Sequence, residues 1–261
     1  MIDYTFTYAD LEYFLLIFVR ITCFVYIAPF FSISNTPRNV RIGLSFFISL
    51  LMYQAAPRPE IVYDTLIGYS VIVMKEAVTG LLIGFGANLC TAIVAFAGQI
   101  ADMEMGLSMV SLFDPATKQQ TTITGVYYNY MVLLLLTISG MHRYLLKALS
   151  ETFILIPVNG AVINSESLLQ SLIEFMSNYI VIGFRICLPI FAVMLILNAV
   201  LGILAKVSPQ LNMFAVGIQM KVLVGLCVLF VTTAMLPDAA SFIYDQMKHM
   251  VVSFVKVMSS T

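Results

Sequence analysis

Charge is scarce in this sequence. Only 10% of its 261 residues are Asp, Glu, Lys or Arg, 13 basic against 14 acidic, where a soluble domain carries about 25%. With a formal net charge of -1 there is no basic surface to hold a phosphate backbone, so nucleic acid is not an expected partner. Histidine is rare, His142 and His249 being far apart. The four cysteines, Cys23, Cys90, Cys187 and Cys227, stand singly inside apolar runs. None has the close spacing of a zinc or redox site, and they read as small buried hydrophobes. The sequence contains no Gly-x-x-x-x-Gly-Lys-Ser/Thr loop, no His-Glu-x-x-His and no Gly-x-Ser-x-Gly turn, the motifs of nucleotide binding, zinc hydrolysis and serine nucleophiles. No cofactor or metal is implied, and the chain reads as a non-enzyme. A basic n-region and cleavage site are also missing from the amino terminus, so the first apolar segment is expected to be retained.

What the chain has in abundance is apolar length: 61% hydrophobic residues and a mean hydropathy of +0.97. The expected fold is all-α, a polytopic membrane-type protein of long kinked helices and helical hairpins. Leu11 to Ile33 is a first apolar run, with Arg20 embedded and an end near Pro29. A polar link carrying Arg38 and Arg41 leads to a second run, Ile42 to Ala56, and lysine or arginine in so short a loop favours the cytoplasmic side. Ile61 to Ala97 would measure roughly 55 Å as one helix, nearly twice a hydrocarbon core of about 30 Å. It must break, with Lys75 and Glu76 at the expected breakpoint, or project beyond the lipid. Neighbours in a helix point about 100° apart, so these two cannot pair with each other; each needs its own partner, on another chain or elsewhere. Gly80, Gly84 and Ala87 form a small-residue stripe where a second helix can come close.

Further on, Ile123 to Ile138 and Tyr144 to Ile156 are apolar helices joined at a turn holding His142 and Arg143. The segment from Val158 to Ser167 is a linker whose end resembles a helix start. Leu168 to Ala205 is again overlong, with Arg185 and a kink expected at Pro189. After the turn Lys206 to Gln210, Leu211 to Leu236 returns as the second arm of a hairpin with Lys221 embedded. Pro237-Asp238 is expected to break the chain before an amphipathic terminal helix. Arg20, Lys75, Glu76, Arg185 and Lys221 are too costly to leave in lipid and should meet protein or water.

One stretch differs from the rest. Gly98 to Pro115 mixes carboxylates, methionines, two glycines and an Asp-Pro step, a composition that should face protein or a wet cavity. Asp102 and Glu104, two apart, would point roughly 200° from one another on a helix and could not share a proton.

This stretch, together with Leu197-Asn198 to Gly217 with its Ser208-Pro209-Gln210-Leu211 centre and the Pro37-Arg38-Asn39-Val40-Arg41 turn, resembles the FliR family of the bacterial flagellar type III export gate over essentially the whole length. The sequence departs from some relatives in carrying Lys221, and its end near Thr261 leaves no room for a fused FlhB domain. The resemblance implies a FliP-like part over 1–157, including a plug loop at about 98–122, followed by a FliQ-like hairpin part with a C-terminal helix over 158–261. It implies assembly with FliP and FliQ around a conduit for unfolded export substrates in the bacterial inner membrane, largely above the membrane plane. FlhB, FlhA, the adaptor FliE and the basal-body ring would be neighbours. By position, Gly106, Leu107, Ser108, Met109, Val110, Ser111, Leu112 and Phe113 would form the plug. An apolar stopper of this kind excludes water and ions, and Met103 and Met105 would serve as a repacking gasket around it, ordinary filler between helices being an equal reading for both. The embedded charges would serve subunit contacts or line the conduit. The virulence injectisome counterpart is an alternative, and a small-solute transporter with a charge relay a more distant one.

Overall fold

The computed structural model describes residues 7–32, 36–57, 63, 65–107, 122–162, 164–210 and 212–259. Among them there is no strand. The helices are α1 (Tyr8–Ile27), α2 (Arg38–Ala55), α3 (Leu66–Met105), α4 (Ile123–Ile138), α5 (Met141–Leu155), α6 (Ser165–Val207), α7 (Met213–Thr232) and α8 (Leu236–Met258). Among the described residues, three continuous stretches are long and apolar enough to cross a membrane: α3, α6, and Ala215–Met258. The protein is a polytopic helical membrane protein.

The helix ends follow from local chemistry. α1 stops at Ala28, just before Pro29, whose ring disfavours helical backbone in the residue ahead of it. α6 starts at Ser165, where the Asn164 side chain accepts from the N–H groups of Glu166 (3.1 Å) and Ser167 (3.4 Å), donors that have no partner inside the helix. Of the two alternatives for the long run, the unbroken helix is the one found, and the break expected at Pro237 is absent. α3 passes through Lys75 and Glu76 as one 40-residue helix, because both side chains find partners and the backbone ladder has no reason to open. At Pro237 the chain only tightens into a 3-10 turn, Thr233–Met235, before α8; a proline in the first turn lacks an N–H that would have had no acceptor there anyway. Pro189, where a kink is expected, lies inside α6.

The described chain groups into two compact units that interleave along the sequence. Unit 1 comprises 1–89, 139–175 and 245–261; unit 2 comprises 90–138 and 176–244.

In unit 1, α1 is the central element, with Leu16, Ile17, Ile21, Phe24 and Val25 wholly buried. It receives α3 closely. A Cβ on Gly80 would collide with the Arg20 carbonyl, and one on Gly84 would stand 3.0 Å from the Phe24 carbonyl. The two glycines and the two carbonyls are each four residues apart, so one helical face meets another along a full turn. α2 packs on α1 with the usual polarity reversed. Ser45 and Ser49 are buried, while Phe47 and Leu51 are 67% and 69% exposed. Each serine hydroxyl donates to a carbonyl one turn back, Ser45 to Arg41 and Ser49 to Ser45, so neither donor is left unmet. The end of α8 in this unit buries Met247, Met250, Val251, Phe254 and Met258, the single apolar stripe expected of an amphipathic helix.

In unit 2, α6 and α7 form the expected hairpin. Leu201 lies beside Gly217 and Met194 beside Gly225, positions that run in opposite directions along the two helices. Their outer faces carry Leu195, Ile196, Ile203, Leu223, Phe230 and Val231, all more than half exposed. Cys227 is also exposed; it sits on that outer face, in contrast to the buried Cys90 and Cys187.

Candidate functional site

Two constellations stand out, one in each unit. In unit 1 the embedded charges of α1 and α3 find each other. Arg20 and Glu76 are both fully buried, and Arg20 Nε–H donates to Glu76 Oε2 at 2.5 Å. Arg20 Nη1 donates to the Ile156 carbonyl at 3.0 Å and reaches that of Thr152 at 3.5 Å. They lie in the last turn of α5 and at its C-terminal cap, where the helix dipole favours a cation. Nη2 has no acceptor among the described residues, but the guanidinium lies over the Phe153 ring, 4.4 Å from its centroid, where the π face is negative. The other Glu76 oxygen accepts the Asn159 N–H at 3.0 Å, and Lys75 Nζ donates to the Asn159 side chain at 3.5 Å. Asn159 has φ +68°, a backbone that asparagine tolerates better than most residues. Lys75 and Glu76 thus share one turn residue, and the partner of Glu76 lies within the chain. Sequence reasoning flagged the three charges but not Asn159; its only sequence signal was the Pro157-Val158-Asn159-Gly160 turn pattern.

In unit 2 the constellation forms where α3 ends and α4 begins. A Cβ on Gly98 would overlap the backbone of Gly125, and one on Gly125 would stand 3.3 Å from the Ala95 carbonyl. The helices therefore cross glycine on glycine. One turn further along α3, Asp102 is 1% exposed. It accepts the Thr124 N–H at 3.0 Å and, in a very short bond, the Thr124 hydroxyl. The Thr122 hydroxyl and the Ile123 N–H also turn toward it. Asp102 is the N-terminal cap of α4 supplied from another helix: it satisfies first-turn N–H groups that have no intrahelical acceptor, at the end where the dipole favours an anion. Hydrogen bonds to a charged group contribute about 1.5–3 kcal/mol each. Just past the end of α3, Gly106 has φ +79°, and among the described residues nothing lies within 4 Å of where a Cβ would stand.

Met105 is wholly buried, and a Cβ on Gly225 would come 2.5 Å from its sulfur, with Met194 also adjoining. Met103 is 69% exposed and Leu107 half-buried. Ser108, Met109, Val110, Ser111, Leu112 and Phe113 lie outside the described residues. Arg185 is exposed and Lys221 half-buried, and neither joins either constellation. Sequence reasoning treated Asp102 only as a poor partner for Glu104; Thr124 and Gly125 carried no signal, because each acts across a gap of more than twenty residues.

A family model described as "Bacterial export proteins, family 1" matches residues 11–247. The chain belongs to this family. Its matched span takes in the whole of both constellations. Among curated proteins, the chain is 32% identical over 221 residues to the flagellar biosynthetic protein FliR of Bacillus subtilis, covering 84% of this chain and 85% of that one. It is 27% identical to FliR of Escherichia coli over 224 residues, 86% of this chain and 84% of that one. With FliR of Aquifex aeolicus it shares 27% over 221 residues, 84% of each.

Proposed function

We propose that this protein is a non-enzymatic subunit of the flagellar protein-export gate in the bacterial inner membrane. The observation that carries this is the match of the family model across nearly the whole chain, joined to relatives named as flagellar biosynthetic proteins. Those names favour the flagellum over the injectisome. Burial of Glu76 against Arg20 weighs against a charge relay for solutes.

In this reading the chain joins FliP and FliQ in a hetero-oligomer around a conduit for unfolded flagellar proteins, with FlhB, FlhA, FliE and the basal-body ring as neighbours. Residues 1–157 act as its FliP-like part and 158–261 as its FliQ-like part. The exposed apolar faces of α2, α6 and α7 support this: surfaces rich in phenylalanine, leucine and isoleucine mark sites of protein or lipid contact. Lys221 and Arg185 would take partners from sibling subunits or line the conduit. Residues 106–113 form the plug. Its support is the residue chemistry, with Leu107, Met109, Val110 and Phe113 offering an apolar stopper and Gly106 supplying a turn in left-handed backbone at its edge. Met103 and Met105 serve as gasket around it, Met103 being exposed and Met105 packed beside Gly225.

Deleting Gly106 to Phe113 in the assembled gate and recording ion conductance tests the plug. The expected result is a leaking membrane with the complex still assembled. An unchanged, tight membrane would defeat the assignment.

A further inference from the structure

α1 and α2 are not among the three stretches apolar enough to cross a membrane by themselves, yet their charges are not spread along them. Arg20 is buried against Glu76, and the others sit at the helix ends. Aromatic contacts give the pairing of the two helices: Tyr13 and Phe14 lie against Tyr53, Phe14 and Phe18 against Phe46, and Tyr26 against Arg41. These partners run in opposite directions along the sequence, so α1 and α2 form an antiparallel hairpin within unit 1.

At one end of the hairpin, the starts of α1 and α3 and the end of α2 bring tyrosine hydroxyls together. Tyr53 donates to the Asp10 carboxylate at 2.9 Å and Tyr63 to that of Glu12 at 2.6 Å. Tyr69 donates to the Glu12 carbonyl at 3.3 Å and Tyr13 to the Pro57 carbonyl at 2.8 Å. At the other end stand Tyr26, Arg41 and the exposed Arg38. Between these two collars neither helix carries a charge on its surface. From Tyr8 to Tyr26 the helix axis rises about 27 Å, close to a hydrocarbon core of about 30 Å. Tyrosine is enriched where a bilayer meets water, and a long basic side chain there extends its charge to the headgroups.

The division of side chains between inside and outside agrees. Membrane helices pack on one another through small residues, which let backbones approach. Here the small residues face protein: Ser45 and Ser49 of α2 are buried, and Gly80 and Gly84 of α3 meet the α1 backbone. The large ones, Phe47, Leu50 and Leu51, face outward. A covering protein needs no aromatic and basic collars at the two ends of its contact, whereas a bilayer does.

Resting on the export-gate reading above, we propose that the outward face of α2 meets phospholipid in the assembled gate, with acyl chains against Phe47, Leu50 and Leu51 and lipid phosphate at Arg38. The reversed polarity of α2 then has a cause. Its outer solvent is hydrocarbon, and the serines turned inward have their hydroxyls met within the helix.

The test uses the full export complex in native membranes. A photoreactive benzophenone amino acid replaces Phe47 in one chain and Leu51 in another, keeping a large apolar side chain at each position. After irradiation, adducts are read by gel shift and by mass spectrometry of the cross-linked peptide. The expected result is a gain of one phospholipid mass at both positions, with no protein–protein band. A cross-link to another subunit at either position, or a peptide that gains no lipid, would overturn the proposal. Should these chains not assemble, Phe47→Cys in a Cys227→Ser chain keeps the question decidable. A fluorophore on that cysteine, in the complex reconstituted into phosphatidylethanolamine and phosphatidylglycerol vesicles, is expected to be quenched by nitroxide on the acyl chains. Quenching by a water-soluble agent alone, or by neither, would overturn it. Failure of the export-gate reading looks different: the chain would purify without other membrane subunits, whatever Phe47 touches.

Discussion

Glu76→Leu is expected to destabilise the protein by about 3–5 kcal/mol, the usual consequence of removing one partner from a buried ion pair, and to deplete it from the membrane. The leucine itself is not the difficulty. Arg20, fully buried beside it, would keep its charge with only two carbonyls and the Phe153 ring as company, and Asn159 would lose the acceptor for its N–H. The double variant Arg20→Met with Glu76→Leu is expected to recover most of the loss, because apolar replacements of similar volume for both ions are often neutral. Heat unfolding of the purified complex and immunoblot of membranes check both. A single variant as stable as the parent would show that the pair contributes no net stability.

Gly98→Ala should be among the most damaging one-carbon changes in the described chain. Its methyl would land on the Gly125 backbone, which cannot rotate away as a side chain can, so α3 and α4 must separate and pull Asp102 off Thr124. Ordinary overpacking costs about 1–3 kcal/mol, and a backbone obstacle puts this case at the upper end or beyond. Gly125→Ala is the informative comparison. Its methyl meets chiefly the Thr122 hydroxyl, the movable end of a small side chain, so the loss should be distinctly smaller. Stability of the extracted protein and ion leak across the membrane measure both, and equal effects would contradict the glycine-on-glycine crossing.

How much of this was legible in advance depends on how far apart the interacting residues lie. Runs of apolar residues announced the helices, and the Gly80-Gly84 stripe announced a close approach, because both are periodic within one element. The charges in those runs announced that partners must exist. What could not be read was which partners: Arg20 with Glu76, or Asp102 with Thr124, are pairings set by how α1, α3 and α4 come together. That the long run stays one helix through Lys75–Glu76 instead of breaking there, and that Pro237 does not break the chain, have a related reason. A charge or a proline interrupts a helix only if its local demand goes unmet, and here Asn159 and Arg20 meet the first while position in the first turn removes the second. The inverted face of α2 shows the converse, since two serines turned inward and Phe47 and Leu51 outward make sense only for a helix with something apolar on its far side.

That far side can be measured. Affinity purification of the tagged chain from native membranes in mild detergent, followed by native mass determination, reads directly what covers the exposed faces of α2, α6 and α7. The expected result is a stable particle several times heavier than the 29.0 kDa chain, containing other membrane subunits of the export gate. A homogeneous 29.0 kDa species, folded and solvated by phospholipid alone, would contradict it.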